Sequence, residues 1–301
     1  MLNSSRTSSW ENLGHKTLTS DLHTALKDLD LDYTVRTTEA GGVVGSDFIR
    51  LPNRLLTYRE DTNEAFGIVS ERYQVIQNQE AFSFIENIED LQLTHGGHTS
   101  WGSVWMIGKL PEVKVLEDAV QPNLIFQTSH DGSVPMKATI CMLRLACQNQ
   151  FTHSFNDSPA TVRIKHVGNV ESKLEEAAQV LRSVDRYVRS YQAQAEFLAT
   201  KKVTPEFFNK VLDKFFAIPE EASTRAINRA EEDRQDFLDA YHSDDNGNFK
   251  GTRWGLINAY TDYFTHKEVR DPQNSFLWNI NENSALGEMI EFVTPRTKTV
   301  A

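Results

Sequence analysis

The sequence predicts an α+β fold. An antiparallel β-sheet built from hairpins carries flanking helices, a long helix follows the sheet, and the C-terminal region is helical. Segments rich in Val, Ile, Phe, Met and Leu recur between residues 103 and 167, and the connections between them are too short for crossover helices. Residues 171–200 contain neither Gly nor Pro, and their apolar residues step by three and four. Helical spacing returns from residue 205 onward.

The composition is that of a globular protein. Of 301 residues, 39% are hydrophobic and 10% aromatic, and the aromatic residues are spread along the chain, which argues against wholesale disorder. No run approaches the ~20 apolar residues of a membrane-spanning helix. The N-terminus lacks the apolar stretch of a signal peptide. Cys141 and Cys147 provide no disulfide framework, so we expect a cytoplasmic protein without membrane contact.

Three parts are predicted along the chain. Residues 1–19 form a polar N-terminal arm that is rich in Ser and Thr. Residues 20–200 form the α+β core, which includes the long helix at 170–200. Residues 201–301 form a helical C-terminal region.

The first part of the core is predicted to contain helices and strands in alternation. A helix is expected at Ser20–Leu31, with Ser20 as its N-cap. Strands follow at Phe48–Tyr58 and Ala65–Ser70, separated by turn-forming residues. A second helix is expected at Asn78–Ile88. The glycine-rich residues 41–45 lack the Lys-Ser/Thr of a phosphate-binding loop and therefore predict a turn.

The sheet is predicted from four further strands. They lie at Ser103–Leu110, Asn123–Ser129, Pro135–Cys147 and Ala160–Val167. An Asp-Gly pair within residues 129–133 predicts a hairpin between the second and the third of them. In the last strand, Val162 lies on one face while Arg163 and Lys165 lie on the other, because strand residues alternate.

Helices are predicted from residue 171 to the C-terminus. The helix at Glu171–Thr200 carries an apolar heptad seam, but the seam contains Ala and Tyr and spans fewer than four heptads. We therefore expect this helix to lie across a sheet or a helical bundle rather than in a coiled coil. Thr204 is the expected cap of a helix at Pro205–Phe216. Further helices are predicted at Glu221–Tyr241, Thr252–His266 and Ser284–Val293.

Patterns of catalytic or metal-binding residues are not found in the sequence. It contains no Gly-x-Ser-x-Gly motif and no dinucleotide fingerprint. His95 and His98 are three residues apart, but the spacing of the two cysteines does not suit a zinc knuckle. The loop that starts at Asp244 lacks the Gly and Glu that a calcium loop requires at positions 6 and 12. We predict no metal, no cofactor and no catalytic residue.

The charge distribution suggests where an anionic partner would bind. The formal net charge of −11 argues against bulk attraction to nucleic acid, but residues 101–200 carry ten Lys and Arg against ten Asp and Glu. Their basic residues fall on the last strands and on one face of the long helix. The candidate nucleic-acid-binding residues are Arg144, Gln148, Asn149, Arg163, Lys165, Arg182, Arg186 and Arg189. On the residues alone, a solvated helix face with local ion pairs is the favoured alternative.

Five segments carry a resemblance to a known family. They are Trp10–Gly14, Gly67–Phe82 (GIVSERYQVIQNQEAF), His130–Ser133 (HDGS), Arg144–Asn149 (RLACQN) and Thr252–Tyr263 (TRWGLINAYTDY). Their order and spacing are similar to those of a phage- and plasmid-borne family, domain of unknown function 932. The first segment departs from the family pattern, because it lacks the His that follows Trp in that pattern.

The resemblance implies a gene on a mobile element in a bacterial host. The order of elements is also similar to that of phage single-strand annealing recombinases of the Red-beta and RecT type. Those proteins hold single-stranded DNA along a basic groove as rings or filaments, and this likeness is one of fold alone. We therefore predict a non-catalytic, homo-oligomeric protein in the bacterial cytoplasm that binds single-stranded DNA, with strand annealing in recombination as its candidate role.

Two alternatives stay open. The first is an interaction protein that inhibits or regulates a host factor by imitating nucleic acid with an acidic surface, which includes Glu220–Glu221 and Glu231–Asp233. The second is a metal-dependent nuclease or hydrolase with Asp131 or Asp157 as a metal ligand. We rank the second last, because the sequence shows no cluster of metal ligands.

Overall fold

The computed structural model describes residues 10–145, 149–154, 159–163, 170–267 and 284–295. The strands are β1 (His15–Thr19), β2 (Val35–Val44), β3 (Asp47–Arg59), β4 (Ala65–Ser70), β5 (Gln92–His98), β6 (Ser103–Lys109), β7 (Val113–Val115), β8 (Asp118–Ser129), β9 (Lys137–Arg144), β10 (Asn149–Phe151) and β11 (Thr161–Arg163). The helices are α1 (Leu22–Asp28), α2 (Asn78–Phe82), α3 (Val170–Ala199), α4 (Pro205–Phe215), α5 (Thr224–His242), α6 (Arg253–His266) and α7 (Ser284–Val293), with 3₁₀ turns at Ser83–Asn87 and Asp244–Phe249.

The larger sheet has the order β1-β5-β6-β8-β9-β10, with β7 beside β8 and β11 beside β9. Its strand pairs are antiparallel throughout the described residues. The predicted α+β class and the antiparallel pairing are thereby confirmed. Short connections such as the one between β8 and β9 favour this arrangement, because parallel neighbours need long crossovers.

One face of the larger sheet, which we call the helical face, packs under helices α1, α2 and α3. It contributes Met106, Phe126 and Ile140, which are fully buried. From α3, Tyr187 and Leu198 enter the same core. The long helix therefore lies across the sheet, as its weak heptad seam predicts.

The other face, which we call the N-terminal face, carries a second and smaller core. Trp105, Ile125 and Cys141 project from it. Each is the sequence neighbour of a residue that projects from the helical face, because side chains alternate along a strand. Trp10 and Leu13 pack against them. The segment after them continues as β1, which pairs with β5 at the sheet edge, so the end of the predicted polar arm is a strand.

The predicted elements in the C-terminal half agree closely with the structure. The hydroxyl of Thr204 accepts a hydrogen bond from the backbone of Phe207, which confirms the predicted cap of α4. At the start of α1 the prediction is wrong, because Asp21 rather than Ser20 accepts from the backbone of Thr24. The prediction for 160–167 is confirmed only at β11, since residues 164–169 lie outside the described part of the chain.

A separate, smaller sheet has the order β2-β3-β4. Strand β2 was not predicted, since its Gly41 and Gly42 have low strand propensity. The turn predicted within residues 41–45 is confined to Gly45, where β2 turns into β3.

Candidate functional site

The hairpin of β2 and β3 projects from the body of the molecule. We call its residues 36–58 the β-arm. Residues 36–39 and 41–54 are all exposed, a longer exposed run than any other pair of strands shows in the described chain. Gly45 has a φ of 64° and occupies the position of a two-residue hairpin loop that requires a positive φ.

The end of the β-arm is apolar on both faces. Val43 and Phe48 pair across the hairpin and share one face, with 72% and 54% of their surface exposed. Val44, Ile49 and Leu51 belong to the opposite face and are 64%, 56% and 42% exposed. Since both faces are open, neither packs on the body of its own chain.

An irregularity separates the outer half of the β-arm from the inner half. Glu39 pairs with Leu55 and Gly41 pairs with Arg50, so that Ala40 opposes the residues 51–54. Asn53 within that bulge has a φ of 58°. Bulges bend a strand and increase its twist, so the two halves present different directions to solvent.

The inner end of the β-arm is anchored by an ion-pair network around Arg59. Its guanidinium donates to Asp61 at 2.7 and 2.9 Å and to Asp30 at 2.8 and 3.0 Å. It also lies 4.4 Å from the ring centre of Tyr33. Hydrogen bonds from Arg59 hold the pKa of both carboxyl groups below the ordinary value. The base of the β-arm is therefore rigidly held, in contrast to its tip.

Two of the segments that carry the family resemblance meet beside this base. The Tyr73 hydroxyl donates to the Ser129 carbonyl at 3.1 Å, and the side chain of Asn78 contacts the His130 ring at 2.9 Å. A Cβ on Gly67 would lie 2.6 Å from Asp131, so only glycine fits there. Burial lowers the pKa of His130 to about 4, which keeps its ring neutral near pH 7. These contacts hold the two segments together, and we call them the joint.

Within the described part of the chain, the histidine pair and Asp131 do not form a metal site. Because they lie three residues apart on β5, His95 and His98 project to opposite faces: His95 lies 3.5 Å from Glu11, and His98 lies 3.7 Å from Asp30. Asp131 accepts hydrogen bonds from Ser133 within its own turn. Among the described residues no three His, Cys, Asp or Glu side chains are grouped to hold a metal ion. Asp157 lies outside those residues.

The predicted binding residue Arg144 is buried. Its guanidinium donates to Asp118 at 2.7 and 3.0 Å, and its side chain is 7% exposed. It is therefore not part of an exposed cationic surface. Asn149 starts β10 opposite Arg144, whereas Gln148 and Lys165 lie outside the described residues.

The remaining predicted arginines lie on opposite sides of the larger sheet. Val162 packs into the core of the helical face, so the exposed Arg163 beside it projects from the N-terminal face. Arg182, Arg186 and Arg189 lie on the solvent side of α3, which covers the helical face. The structure therefore does not join strand and helix arginines into one track.

The arginines of α3 have acidic neighbours on the same helix. Arg182 pairs with Glu175 at 2.7 Å and Arg189 pairs with Asp185 at 2.6 Å, and all four side chains are more than half exposed. Arg186 is exposed between them. This arrangement matches the alternative of a solvated face with local ion pairs.

The acidic surface of the alternative hypothesis is also partly neutralised. Glu220, Glu221 and Glu231 are exposed. Asp233 is half-buried and pairs with Lys267 at 2.8 Å and Arg229 at 3.6 Å.

The predicted strand Phe48–Tyr58 is confirmed as part of β3, but sequence reasoning missed β2 and therefore the hairpin of the β-arm. The signal for it is the Gly45-Ser46 pair between Val43-Val44 and Asp47-Phe48-Ile49, a spacing typical of a two-residue hairpin. What no pattern shows is that both faces of this hairpin remain exposed. Within the described part of the chain, no helix is both long and apolar enough to cross a membrane.

Comparison with known families gives a match over most of the chain. The family described as Domain of unknown function (DUF932) matches residues 65–286, a range that starts at β4 and therefore excludes the β-arm. No curated protein and no solved structure matches the chain. Since the matched range covers well over half of the sequence, the protein belongs to the DUF932 family.

Proposed function

We propose that this protein is non-catalytic and works as a homo-oligomer that is assembled through the β-arm. The observation that carries the proposal is the outer half of the arm, which exposes apolar side chains on both faces. Exposed apolar patches of this size often mark interaction sites, and an isolated two-stranded hairpin is marginally stable in water. A partner that covers the arm stabilises it.

The size of the β-arm suits an interface. Its five most exposed apolar side chains present on the order of 400 Å², similar to the largest patch of a typical monomer. At ~25 cal/mol per Å², covering them contributes about 10 kcal/mol. Association entropy opposes this with ~4–15 kcal/mol, so further polar contacts are needed. The exposed residues 36–39 and 41–54 approach the ~20–30 residues of one side of a standard interface.

Charge favours a second copy of the chain as the partner. The β-arm carries three arginines, Arg36, Arg50 and Arg54, against the two acids Glu39 and Asp47. Of the 31 Lys and Arg and 42 Asp and Glu in total, the rest of the chain therefore holds 28 and 40. A mildly cationic arm is attracted to an anionic body of the same kind.

The test compares two matched double variants by light scattering and sedimentation over a range of concentrations. Phe48→Ser with Ile49→Ser removes one large apolar side chain from each face of the tip, whereas Phe197→Ser with Ile218→Ser removes two apolar side chains exposed elsewhere, at 37% and 38%. We expect the wild type and the control to self-associate and the arm variant to be monomeric. A monomeric wild type, or equal loss in both variants, contradicts the proposal.

A second candidate function is single-stranded DNA binding through α3. Its support is that Arg182, Arg186 and Arg189 share one exposed helix face, and that exposed ion pairs contribute only ~0.2–1 kcal/mol, so that phosphates displace the acids at little cost. This candidate function carries three further expectations. The gene comes from a mobile element, the protein anneals strands in recombination, and it works in the bacterial cytoplasm. The candidate function does not depend on Arg144.

A labelled oligonucleotide tests this candidate at low and high salt. Replacing Arg182, Arg186 and Arg189 by Ala removes binding and flattens the salt dependence, because fewer counterions are released. The control replaces Lys27, Lys210 and Arg225, which are exposed on other helices, and retains most of the binding. Equal losses, or no binding by the wild type at low salt, remove the candidate.

A further inference from the structure

We infer that two copies of the chain pair edge to edge along β2, antiparallel and about a two-fold axis that passes through Ala40. The inference rests on the proposed function, since it specifies how the β-arm would join two copies. The free edge of β2, the small residues along it and the charges beside them support this pairing.

Strand β2 is an unprotected edge. Among the described residues it pairs with β3 alone, and it spans residues 35–44 without a Lys or a Pro. Long edges are usually blocked by charge, proline, bulges or shortness. Strand β2 carries only Arg36 and Glu39 as charged residues, and the extra residues of the irregularity belong to β3, so the backbone of β2 runs through without an insertion. The other edge strand of the small sheet, β4, has only six residues.

The hydrogen bonds at Val35 show which backbone groups are open. Its N–H donates to the Gln77 side chain at 2.9 Å and its carbonyl accepts from the same amide at 3.0 Å. The N–H of Arg59, which faces Val35, donates instead to Glu64. Val35 thus directs its backbone groups away from β3, and so do alternate residues along the strand. The open residues are Thr37, Glu39, Gly41 and Val43.

These open residues determine the register of a two-fold pair. Open groups must face open groups, so the axis passes through a residue and not between two residues. An axis through Ala40 places Thr37 opposite Val43 of the second copy, and Glu39 opposite Gly41 of the second copy. All four open residues then find backbone partners and Val35 keeps Gln77. An axis through Glu39 would instead set two like charges face to face.

The residues at the centre of β2 are small: Ala40 is buried within its own chain, and the Phe48 ring covers one face of Gly41, so the open approach is on the face of Gly42. Gly42 has no heavy atom within 4 Å of the place where a Cβ would be. In the paired arrangement Gly42 of the second copy faces Thr38, so Ile49 of the second copy continues the row formed by Thr38, Leu56 and Ile68. Ile49 and Ile68 are 56% and 54% exposed in the single chain. The pairing therefore covers apolar surface that the monomer leaves open.

Charges on the other face are complementary in the same register. Glu39 faces the side-chain-free Gly41 of the second copy, whose cross-strand neighbour is Arg50. In the single chain Arg50 already pairs with Glu39 at 3.0 Å and with Glu71 at 3.7 Å, and all three are about half exposed. Arg50 can therefore take Glu39 of the second copy as an additional partner.

Disulfide trapping between two single-cysteine variants tests the register. Thr37→Cys and Val43→Cys are prepared separately in a Cys147→Ser background, with the buried Cys141 retained. Facing residues of an antiparallel pair bring their Cα atoms to ~5.5 Å, within disulfide range. We expect a cross-linked dimer when the two variants are mixed and oxidised. Either variant alone, or Thr37→Cys mixed with Gln235→Cys, stays uncross-linked.

Charge exchange gives an independent measurement. Glu39→Arg and Arg50→Glu each weaken self-association by about five- to tenfold, since two cross-copy pairs become repulsive. In the mixed dimer both contacts are attractive again, so mixing restores association close to that of the wild type. Circular dichroism checks that each variant is folded.

The outcomes separate this inference from the proposed function. Self-association that depends on the apolar tip, with neither trapping nor rescue on mixing, overturns pairing along β2 and leaves assembly through the β-arm intact. A monomeric wild type overturns both. Trapping of Thr37→Cys with itself overturns the axis at Ala40 in favour of another register.

Discussion

The β-arm and the arginine face of α3 are both exposed, but they differ in whether their side chains find partners within the same chain. The arginines of α3 find Glu175 and Asp185 on the same helix, where their mutual attraction is local and water is always available. The apolar side chains of the tip have no comparable packing partner in the same chain, because neither face of the tip packs on the body. Exposed charge is the ordinary state of a helix surface, whereas a hairpin that is apolar on both faces is typical of an interaction site.

The largest effect is expected at the base of the β-arm. Arg59→Ala removes a largely buried guanidinium that makes charge-assisted hydrogen bonds to the half-exposed Asp30 and Asp61 and lies against the Tyr33 ring, so we expect the free energy of unfolding to fall by about 3 kcal/mol. Urea unfolding measures this. Arg182→Ala, the control on α3, changes it by less than about 0.5 kcal/mol. Similar losses in the two variants would erase the distinction between anchored and solvated arginines.

Acid pH tests the joint beside that base. The pKa of His130 in the folded protein is about 4, below its ordinary value of 6.5. The unfolded chain therefore binds a proton first as the pH falls, so stability is full above pH 6.5 and declines toward pH 4. The expected loss is about 2.5 kcal/mol between pH 8 and 4.5.

The measurement is urea unfolding of the wild type and of His130→Gln over that pH range. The variant has a flatter profile, but the slope does not vanish, because burial lowers the pKa of His95 and His153 as well. An unchanged slope in the variant contradicts the assignment to His130.

A smaller effect distinguishes the tip of the β-arm from its base. Gly45→Ala places a side chain at a φ of 64°, which costs about 1 kcal/mol. Because the tip does not pack on the body, we expect faster amide exchange at residues 41–50 and an unchanged urea midpoint. Gly132→Ala, at a φ of 76° beside Tyr73, serves as the control and lowers the midpoint. A lower midpoint for Gly45→Ala would mean that the tip is part of the cooperative fold.

Local sequence determined more of the fold than of the candidate site. Helix caps such as Thr204 and the apolar steps of α3 act within a few residues, so spacing alone predicts them. Arg144 and Asp118 lie on neighbouring strands and are 26 residues apart in the sequence, so no local pattern predicts their ion pair. The partner of Arg189 is four residues away and was visible from the start.

The exposure of the β-arm could not be predicted for a related reason. Phe48, Ile49 and Leu51 have the composition of a buried strand, and burial is decided by what packs on a strand rather than by the strand itself. Only the three-dimensional arrangement shows that the body ends at Leu55, which is half-buried, and that the hairpin continues beyond it.

The smallest expected effect concerns Asp185. It decides whether the arginine face of α3 is a binding surface or only a solvated helix face. Asp185 and Arg189 are each 69% exposed, so a double-mutant cycle should give a coupling of about 0.3–0.5 kcal/mol in stability. If α3 binds single-stranded DNA, Asp185→Ala removes a negative charge from the phosphate path and raises oligonucleotide affinity several-fold, an effect that high salt suppresses. If the helix is only a solvated face, affinity stays unchanged while the coupling remains small. A coupling above about 1 kcal/mol would show that the ion pair of Arg189 with Asp185 is too strong for phosphates to displace. The arginine face of α3 would then not be a polynucleotide-binding surface.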